Sequence, residues 1–479
     1  MRSNMKLSIV AVLVAAVTVL SLVFASSGVR DHPSEFGTRQ PAVADATMKL
    51  GVQAAYDDQN MYWRYTWKTA DKPHLQYDFL VYEGGEWKRK QGDNDGSKLA
   101  ALNEDRITFM LDDGAVDGFS QYGGFITAYS FTRGMSTGEI DKAELEKVFG
   151  EGTTELQKML PGTMKDVNDW RTYVGKDEVA KLREAGYFLD LWHWRAARSN
   201  PVGYSDDQNV LESRNDDEGK GMFSTNYDAD TKLPKAMFDP AKTGMAAMTW
   251  DKVSKGDYTM DEVYFLSSSN SVAFDPNHEW KEGDAIPRRL LRTPEGGRAS
   301  ITSNGVIVDG KWQVELTRAL DSKDPGDKVL RDSGRYSVAP AVHSGTGQRW
   351  HYIGMPFTLG LGRDADVVAT KVTGRPDWSS IPTKEITLFY PGVISWDYLT
   401  NPAKHPGADS IKENQAFSSA HQVEKMAYYA LESEYRDQIK TQWILTGLAW
   451  AFFIIAASIA AVRLGRRNSV PASTTDDKE

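Results

Sequence analysis

The stretch that decides the fold is Asn60–Lys68, which has the sequence NMYWRYTWK. Large apolar and aromatic side chains alternate here with polar ones. Successive side chains of a strand point to opposite faces, so this alternation is typical of a half-buried β-strand. Outward from it, similar short runs recur along the body at 52–56, 77–82, 106–111, 305–308, 312–320, 336–342, 349–359 and 385–389.

Turn-forming residues separate these runs, and the chain contains 40 Gly and 19 Pro. The pair Asp309-Gly310 lies between two of the runs and is a hairpin signal. Many short strands joined by turns predict a mainly-β body, an antiparallel β-sandwich, over residues 45–400. Two segments are predicted to be insertions: 137–186 is charged and helical, and 205–257 is polar and rich in Asp, Lys, Gly and Met.

The composition excludes several kinds of site. The chain has 479 residues and a net charge of −10, which argues against a nucleic-acid partner, since such proteins carry a basic stripe. It contains no cysteine, so thiolate zinc sites, iron–sulfur clusters and a CxxCH haem c attachment motif are all absent. No acid/base or nucleophile constellation is recognisable. We therefore expect a non-catalytic subunit rather than an enzyme.

The N-terminus carries an export signal. A basic start precedes the uncharged stretch 7–25, and small residues follow it. Residues 1–27 are therefore expected to be a secretory signal peptide or, if they are not cleaved, an N-terminal membrane anchor.

The C-terminal stretch 443–462 has 20 uncharged residues, the length that a transmembrane helix needs. Arg463, Arg466 and Arg467 follow it, and positive residues stay on the cytoplasmic side of a membrane. This predicts a cytoplasmic tail, 463–479, and a body on the periplasmic side of the inner membrane. Residues 411–442 contain neither Gly nor Pro and are expected to form a helical stalk before the span.

Two segments carry candidate haem ligands. In the first, His193 lies between Trp192 and Trp194, and on a strand it would point away from both rings. In the second, His351 follows Trp350 at the start of an apolar run. Histidine is a common ligand of haem iron. The alternative for each histidine is a core side chain that is bonded to a backbone group.

Five motifs, in this order, resemble the haem-binding domain of ethylbenzene dehydrogenase gamma subunits, a class also called cytochrome c-552/DMSO reductase-like. The resemblance covers about residues 48–362. The motifs are VQAAYDDQNMYWRYTWK at 52–68, EDRITFML at 104–111, DLWHWRAARSNPVGYSDD at 190–207, DGKWQVELTRAL at 309–320 and HYIGMPFTLGLG at 351–362.

The resemblance implies a β-sandwich that holds a haem at one edge and passes electrons within a redox complex. In the gamma subunits a Met and a Lys hold the iron of haem b. His351 stands in the place of the Lys, and Met135 is the candidate for the Met, with His193 as the competing partner. The cofactor-binding residues implied in this way are His351, His193, Met135, Trp192, Trp194 and Trp350.

One departure from the family pattern bears on the cofactor. Some relatives carry CxxCH between the motifs at 104–111 and 190–207, whereas residues 122–135 here read YGGFITAYSFTRGM. We therefore expect a membrane-anchored, electron-transfer subunit that binds haem b without a covalent bond. The alternative is a haem-free binding or assembly subunit, either a carbohydrate-binding-like sandwich or a complex scaffold.

Overall fold

A computed structural model describes residues 47–70, 75, 78–91, 104–127, 129, 140–167, 169–344, 351–354, 356–389 and 436–467. The chain divides into two units, the body within 33–421 and a second unit that contains the C-terminal helix. The two are described separately. The expected signal segment 1–27, Met135, Trp350 and most of the expected stalk and tail lie outside the described residues.

One large sheet dominates the described part of the body. Its thirteen strands are β1 Thr47–Tyr56, β2 Asn60–Lys68, β5 Arg106–Asp112, β6 Leu189–Arg195, β7 Tyr204–Val210, β8 Arg214–Asp216, β16 Ile301–Val308, β17 Lys311–Ala319, β18 Arg335–His343, β19 Tyr352–Gly354, β20 Phe357–Leu361, β21 Val367–Lys371 and β22 Lys384–Phe389. The mainly-β, antiparallel class predicted from the alternating runs is confirmed.

The strand order of this sheet is β19-β22-β1-β2-β17-β16-β7-β6-β5-β18-β20-β21, with β8 added beside β7. β1 also pairs with β21, and β18 pairs with β19, so the order closes on itself. Most pairs are antiparallel, and β21 is parallel to both of its neighbours. Closure leaves fewer strand edges open to other chains.

The strand with the alternating sequence NMYWRYTWK, β2, is an interior strand of this sheet. β2 pairs with β1 on one side and with β17 on the other. Its side chains Trp63, Tyr65 and Trp67 are fully buried, as the alternation predicts. They pack with Trp194 and other aromatic residues of neighbouring strands in one core. Burial of such large rings contributes most of the driving force for this part of the fold.

The expected hairpin is also present. β16 and β17 pair up to Val308 opposite Lys311, which leaves a two-residue turn. Asp309 has a φ of 49° and Gly310 a φ of 70°. Positive φ at both central positions matches the right-handed twist of the flanking strands. The apolar run 349–359 was expected to be one strand, but β19 and β20 are separate, and Pro356 between them cannot donate to a ladder.

The segment between β5 and β6 includes residues 137–186, which were expected to be a helical insertion. Its helices are Phe119–Tyr122, Lys142–Phe149 and Lys176–Glu184, and its 3-10 turns are Gly123–Thr127, Pro161–Thr163 and Trp170–Thr172. Asp141 caps the second helix by accepting a hydrogen bond from the backbone of Ala143 at 2.8 Å. Apolar residues of the segment, among them Ile126 and Leu160, pack against Met110 and Leu191 of the sheet.

The second expected insertion, 205–257, needs a correction at its start. Residues 204–210 form β7, which pairs with β6 and β16 inside the main sheet. Its run of Asp, Gln and Asn resembled a loop because the charges that neutralise it come from distant parts of the chain. The sequence after β8, up to residue 291, then builds smaller sheets together with residues 78–91.

These smaller sheets pack around a second core of the body. Their strands are β3 Asp78–Glu83, β4 Glu86–Gln91, β9 Phe223–Thr225, β10 Ala236–Phe238, β11 Met248–Thr249, β12 Leu266–Ser267, β13 Ser271–Ala273, β14 Asp284–Pro287 and β15 Arg289–Leu291. The helices Pro240–Thr243 and Trp250–Lys255 lie among them, and the 3-10 turns Asn200–Val202 and Gly296–Ala299 flank β7 and β16.

The C-terminal helix is Arg436–Arg467. Its segment Trp443–Ala460 has a mean hydropathy of 2.0, so by length and composition it could cross a membrane. The helix begins before the apolar stretch, as the stalk hypothesis expects for residues 436–442.

Candidate functional site

One face of the main sheet carries the candidate residues of the first motif. Along β6 the side chains of Leu191, His193 and Arg195 lie on one face, because alternate residues share a face. Trp192 and Trp194 point the opposite way, into the aromatic core, and are fully buried. The histidine and the two tryptophans of the motif therefore lie on opposite faces of the sheet.

The ladder register brings distant residues into one row on the histidine face. On β5, Arg106 lies opposite Arg195 of β6 and opposite His343 of β18. The β18–β19 register pairs Val342 with Tyr352, and one further step places His343 opposite His351. The two imidazole rings stack at a centroid distance of 4.4 Å with 18° between their planes. The row therefore runs from His351 through His343 and Arg106 to Arg195.

His193 lies two residues before Arg195 on β6, on the same face, and is opposite Thr108 of β5. It is on the same face as His351, and β5 and β18 run between their strands. Neighbouring strands are about 4.8 Å apart, so the two histidines start from backbones about 14 Å apart. They share a face of the sheet but are not neighbours.

Both ring nitrogens of His193 are engaged. Nδ1 lies 3.2 Å from Oε1 of Gln208, and Nε of Arg195 donates to Nε2 at 3.3 Å. Burial lowers the pKa of His193 well below its usual value, and the nearby guanidinium groups of Arg195, Arg214, Arg106 and Arg198 lower it further. The imidazole is therefore neutral at ordinary pH, and Arg195 occupies its free lone pair.

The face carries more positive than negative charge. Arg195 donates to Asp206 at 2.9 Å, and Arg198 pairs with Glu104. The buried Nε of Arg106, by contrast, has no hydrogen-bond partner among the described residues. Burial first, and the neighbouring Arg198 second, lower the pKa of Arg106 to about 9.

A lysine from the insertion adds to this charge. Nζ of Lys158 lies 3.4 Å from Oγ1 of Thr127, and burial, with Arg214 nearby, lowers its pKa to about 8. An environment that disfavours so many cations favours a bound anion, such as a carboxylate. The chemistry that this face offers is thus nitrogen ligation at the imidazoles combined with carboxylate binding at the guanidinium groups.

The helical insertion covers this face. The backbone of Met159 donates to the carbonyl of Thr127 at 3.4 Å, and that of Leu160 donates to Leu211 at 2.7 Å. Phe125 and Ile126 of the same segment are buried. Phe125, Ile126 and Thr127 belong to the stretch 122–135, in which some resembled relatives carry a CxxCH motif.

The sequence-predicted residues are only partly brought together. His351 and His193 share a face, whereas Trp192 and Trp194 lie in the core on the other side of β6. Met135 and Trp350 lie outside the described residues. The role of each of the six residues in cofactor binding stays a prediction.

Three residues of the row, Arg195, Arg106 and His343, were missed by the sequence analysis, and the last two show why. Arg106 is the arginine of the EDR motif, and it alternates with Ile107 and Phe109, which are buried in the core. His343 ends the alternating strand β18. In both cases the alternation along the strand could have predicted which face of the sheet the residue occupies. It could not have predicted which residues of other strands lie beside it.

A second charged cluster lies on the core side of β6. Arg318 of β17 donates to Asp190 at 3.0 Å and to Asp327 at 2.8 Å, and Asp207 lies 3.3 Å from the same nitrogen. Its guanidinium carbon lies 4.4 Å from the centroid of the Trp192 ring. The sequence analysis placed Asp207 in the polar insertion 205–257 and did not identify this cluster.

These features define a class of protein: a β-sheet domain whose cationic and imidazole-bearing face lies under a helical insertion. The chain belongs to the ethylbenzene dehydrogenase family, whose sequence model matches residues 31–353, more than half of the chain. The resemblance inferred from the motifs is confirmed.

Two curated relatives are cytochromes. Cytochrome c-552 of Stutzerimonas stutzeri is 31% identical over 111 residues, which are 22% of this chain and 37% of the relative. Cytochrome c-551 of Rhodocyclus tenuis is 40% identical over 50 residues, which are 10% of this chain and 20% of the relative. The chain thus spans between a fifth and two fifths of the length of these relatives.

Proposed function

We propose that this chain is a membrane-anchored electron-transfer subunit that binds haem b without a covalent bond. The observation that carries the proposal is the row on the main sheet: it joins an imidazole, His351, to the guanidinium of Arg106, whose buried Nε has no hydrogen-bond partner among the described residues. Haem needs both kinds of partner, a nitrogen or sulfur ligand for its iron and cations for its propionates. Membership of the ethylbenzene dehydrogenase family and similarity to two cytochromes support the same function.

His351 is the first choice of iron ligand. It replaces the Lys of the resembled gamma subunits and is only half-buried. Met135 would be the preferred second ligand. His193 is the weaker candidate because Arg195 and Gln208 occupy its ring nitrogens.

The bound haem would supply one-electron redox chemistry, and the protein residues would hold and orient it. Arg106 would receive a propionate carboxylate, which compensates its buried charge. Arg195 would stay with Asp206, which already pairs with it at 2.9 Å. The helical insertion would exclude water from the face, which strengthens the charge interactions there.

The membrane arrangement belongs to the same proposal. The helix Arg436–Arg467 anchors the chain, the body lies on the periplasmic side of the inner membrane, and the tail after Val462 lies in the cytoplasm. Other subunits of a redox complex would deliver and accept the electrons. Protease added to intact spheroplasts should remove the body and spare the tail, and a fully protected body would contradict this topology.

The test of haem binding uses the full chain, purified in detergent after expression with ample haem. A Soret band in the visible spectrum supports the proposal. His351→Ala should abolish or convert the low-spin spectrum, and Met135→Ala should alter it as well. His278→Ala is the matched control, since His278 is exposed and should leave the spectrum unchanged. A wild-type chain without a Soret band would contradict the redox function.

A second candidate function is a haem-free assembly or binding subunit. One observation favours it: Phe125, Ile126 and Tyr129 are buried in the stretch where some resembled relatives attach haem c. Apolar side chains that fill such a stretch can replace a lost cofactor. This candidate predicts a stable, colourless chain that co-purifies with partner subunits. Haem added to it should leave its melting temperature unchanged.

A further inference from the structure

A small cavity lies where the smaller sheets meet the turn after β6. Its volume is about 30 Å³, which is room for about two water molecules or one carboxylate group, and it is partly open to the surface. Asp78 of β3, Arg198 of the turn after β6 and Arg289 of β15 bring charge to its wall. Much of the remaining wall is apolar and includes Phe79 and Leu266.

The carboxylate in this wall is already neutralised. Asp78 is only 6% exposed, and it accepts hydrogen bonds from Nε of Arg89 at 3.0 Å and from Nη1 of Arg288 at 3.2 Å. Nη2 of Arg289 lies 3.3 Å from its Oδ2 atom. Three guanidinium groups thus surround one carboxylate, and this leaves an excess of positive charge beside the cavity.

The second arginine of the wall adds to this excess. Arg198 is paired with the buried Glu104. The guanidinium carbons of Arg198 and Arg289 lie 5.8 and 5.2 Å from the centroid of the same ring, Phe223. Burial lowers the pKa of Arg289; Asp78 opposes this effect, and the neighbouring Arg198 lowers the pKa further. A bound anion would relieve the repulsion between these two like charges.

Hydrogen-bonding capacity is also left over at this place. The buried Nε atoms of Arg288 and Arg289 have no hydrogen-bond partner among the described residues. A buried donor without an acceptor is costly, so an acceptor close to Arg289 would stabilise the protein. The ion pairs around the cavity join four arginines to two carboxylates: Arg89, Arg198, Arg288 and Arg289 to Asp78 and Glu104.

We propose that this cavity binds the carboxylate group of a small monocarboxylic acid, with Arg198 and Arg289 as its charge partners. Guanidinium groups match carboxylates in charge and in hydrogen-bond geometry. The apolar part of the wall suits a methyl or methylene group, and the volume admits no bulky ligand. The nearby charge of Asp78 disfavours a doubly charged anion such as phosphate.

This site goes beyond the proposed haem function. Neither His351 nor Arg106 lines the cavity, whose wall belongs largely to the smaller sheets. Acetate should therefore bind to His351→Ala as it binds to the wild type. Loss of acetate binding in this variant would place the anion on the histidine face and would overturn a separate site, whatever the visible spectrum shows.

The experiment uses the full chain in detergent and acetate as the probe, at constant ionic strength. Equilibrium dialysis with radioactive acetate measures binding directly, and thermal melts measure its effect on stability. We expect one saturable acetate per chain at this site and a melting temperature that rises by about 2–5 °C at saturation. Acetamide has nearly the same shape without the charge, and it should cause no rise.

Arg289→Met should lose both the bound acetate and the thermal shift. The matched control is Arg288→Met, because Arg288 also pairs with Asp78, at a similar distance, but does not line the cavity. Each variant removes one of the three arginines around Asp78, so their comparison separates anion binding from the loss of an ion pair. The control should keep the acetate response.

Three results would overturn the proposal. The wild-type chain could show no saturable acetate binding, a measurement that does not depend on any variant being folded. Acetamide could raise the melting temperature as much as acetate does. Arg289→Met and Arg288→Met could respond to acetate equally, either both as the wild type does or both not at all.

Discussion

The guanidinium carbon of Arg318 lies 4.4 Å from the centroid of the Trp192 ring, and the same guanidinium donates to Asp190 and Asp327. Both Trp192 and Arg318 are almost fully buried. The charged cluster thus borders the aromatic core directly. A change in the charge of this cluster should therefore also change the stability of the body.

Replacement of this arginine should destabilise the body strongly. Arg318→Met leaves several buried carboxylates without their cation, and breaking a buried ion pair on one side costs about 3–5 kcal/mol. Urea unfolding followed by tryptophan fluorescence measures the loss. Arg171→Met is the control, because Arg171 and its partner Glu144 are both about half exposed. That change should cost less than about 1 kcal/mol, and equal losses for the two variants would contradict the expectation.

A glycine close to the aromatic core gives a packing test. A Cβ atom at Gly305 would overlap Cζ2 of Trp194 and lie 3.0 Å from Oδ1 of Asn200. Gly305→Ala should therefore destabilise the body by about 1–3 kcal/mol, the usual range for overpacking. The same change at Gly124 meets only Met110 sulfur at 3.6 Å, an ordinary contact, and serves as the control. Chemical denaturation compares the two, and a similar effect at both positions would argue against this packing.

Two buried carboxylates should make stability depend on pH. Burial and the neighbouring carboxylates raise the pKa of Asp217 to about 7; burial first, and nearby aspartates with it, raise that of Asp327 to about 6. A carboxyl whose pKa is raised in the folded state binds its proton more tightly when folded, so its stabilising effect is lost as the pH rises through that pKa. The melting temperature should fall between about pH 5 and 8.

Asp217→Asn should flatten this profile, because the variant cannot titrate at that position. In Asp57→Asn the profile should run parallel to that of the wild type, since the pKa of Asp57 is lowered rather than raised and lies below this range. Thermal melts at several pH values measure the melting temperature of the wild type and of both variants. A wild-type melting temperature that rises across the range, with no difference from Asp217→Asn, would contradict the raised pKa.

His193 should act on stability rather than on the haem spectrum. His193→Ala leaves Oε1 of Gln208 and Nε of Arg195 without the imidazole as hydrogen-bond partner, which should cost about 1–3 kcal/mol. Under the proposed function, with His351 and Met135 as ligands, the low-spin spectrum should persist. Urea unfolding and a visible spectrum of the same sample are the two measurements. Loss of the low-spin bands in this variant alone would make His193 an iron ligand.

Arg106 should contribute to haem affinity through charge. Arg106→Leu removes a buried cation from the histidine face, and a charged hydrogen bond is worth about 1.5–3 kcal/mol, so haem affinity should fall by about tenfold or more. Haem dimethyl ester, which lacks propionate charges, should bind the variant and the wild type alike. Titration with haem and with haem dimethyl ester, followed at the Soret band, measures the affinity of the wild type and of the variant for each compound. Arg89→Leu, at a half-exposed arginine, is the control. An equal loss with both forms of haem would contradict propionate binding.

The sequence by itself determined the local elements. The alternation in Asn60–Lys68 predicted a half-buried strand, and the pair Asp309-Gly310 predicted its hairpin turn. The alternation around His193 predicted that the imidazole and the two flanking indoles point to opposite faces. The stretch 443–462 predicted a helix of membrane length. Each of these depends on neighbouring residues alone, since side-chain period and turn conformation are local properties.

Only the tertiary structure decided which faces meet. His343, His351, Arg106 and Arg195 form one row because four strands, distant in sequence, pair in a particular register, and no local pattern specifies that register. The polar run of β7 resembled a loop because Arg195, Arg298 and Arg318 neutralise it from other strands and segments. The charge balance of a buried site depends on residues that are close in space but distant in sequence. The sequence could therefore identify single candidate residues but not the clusters that they form.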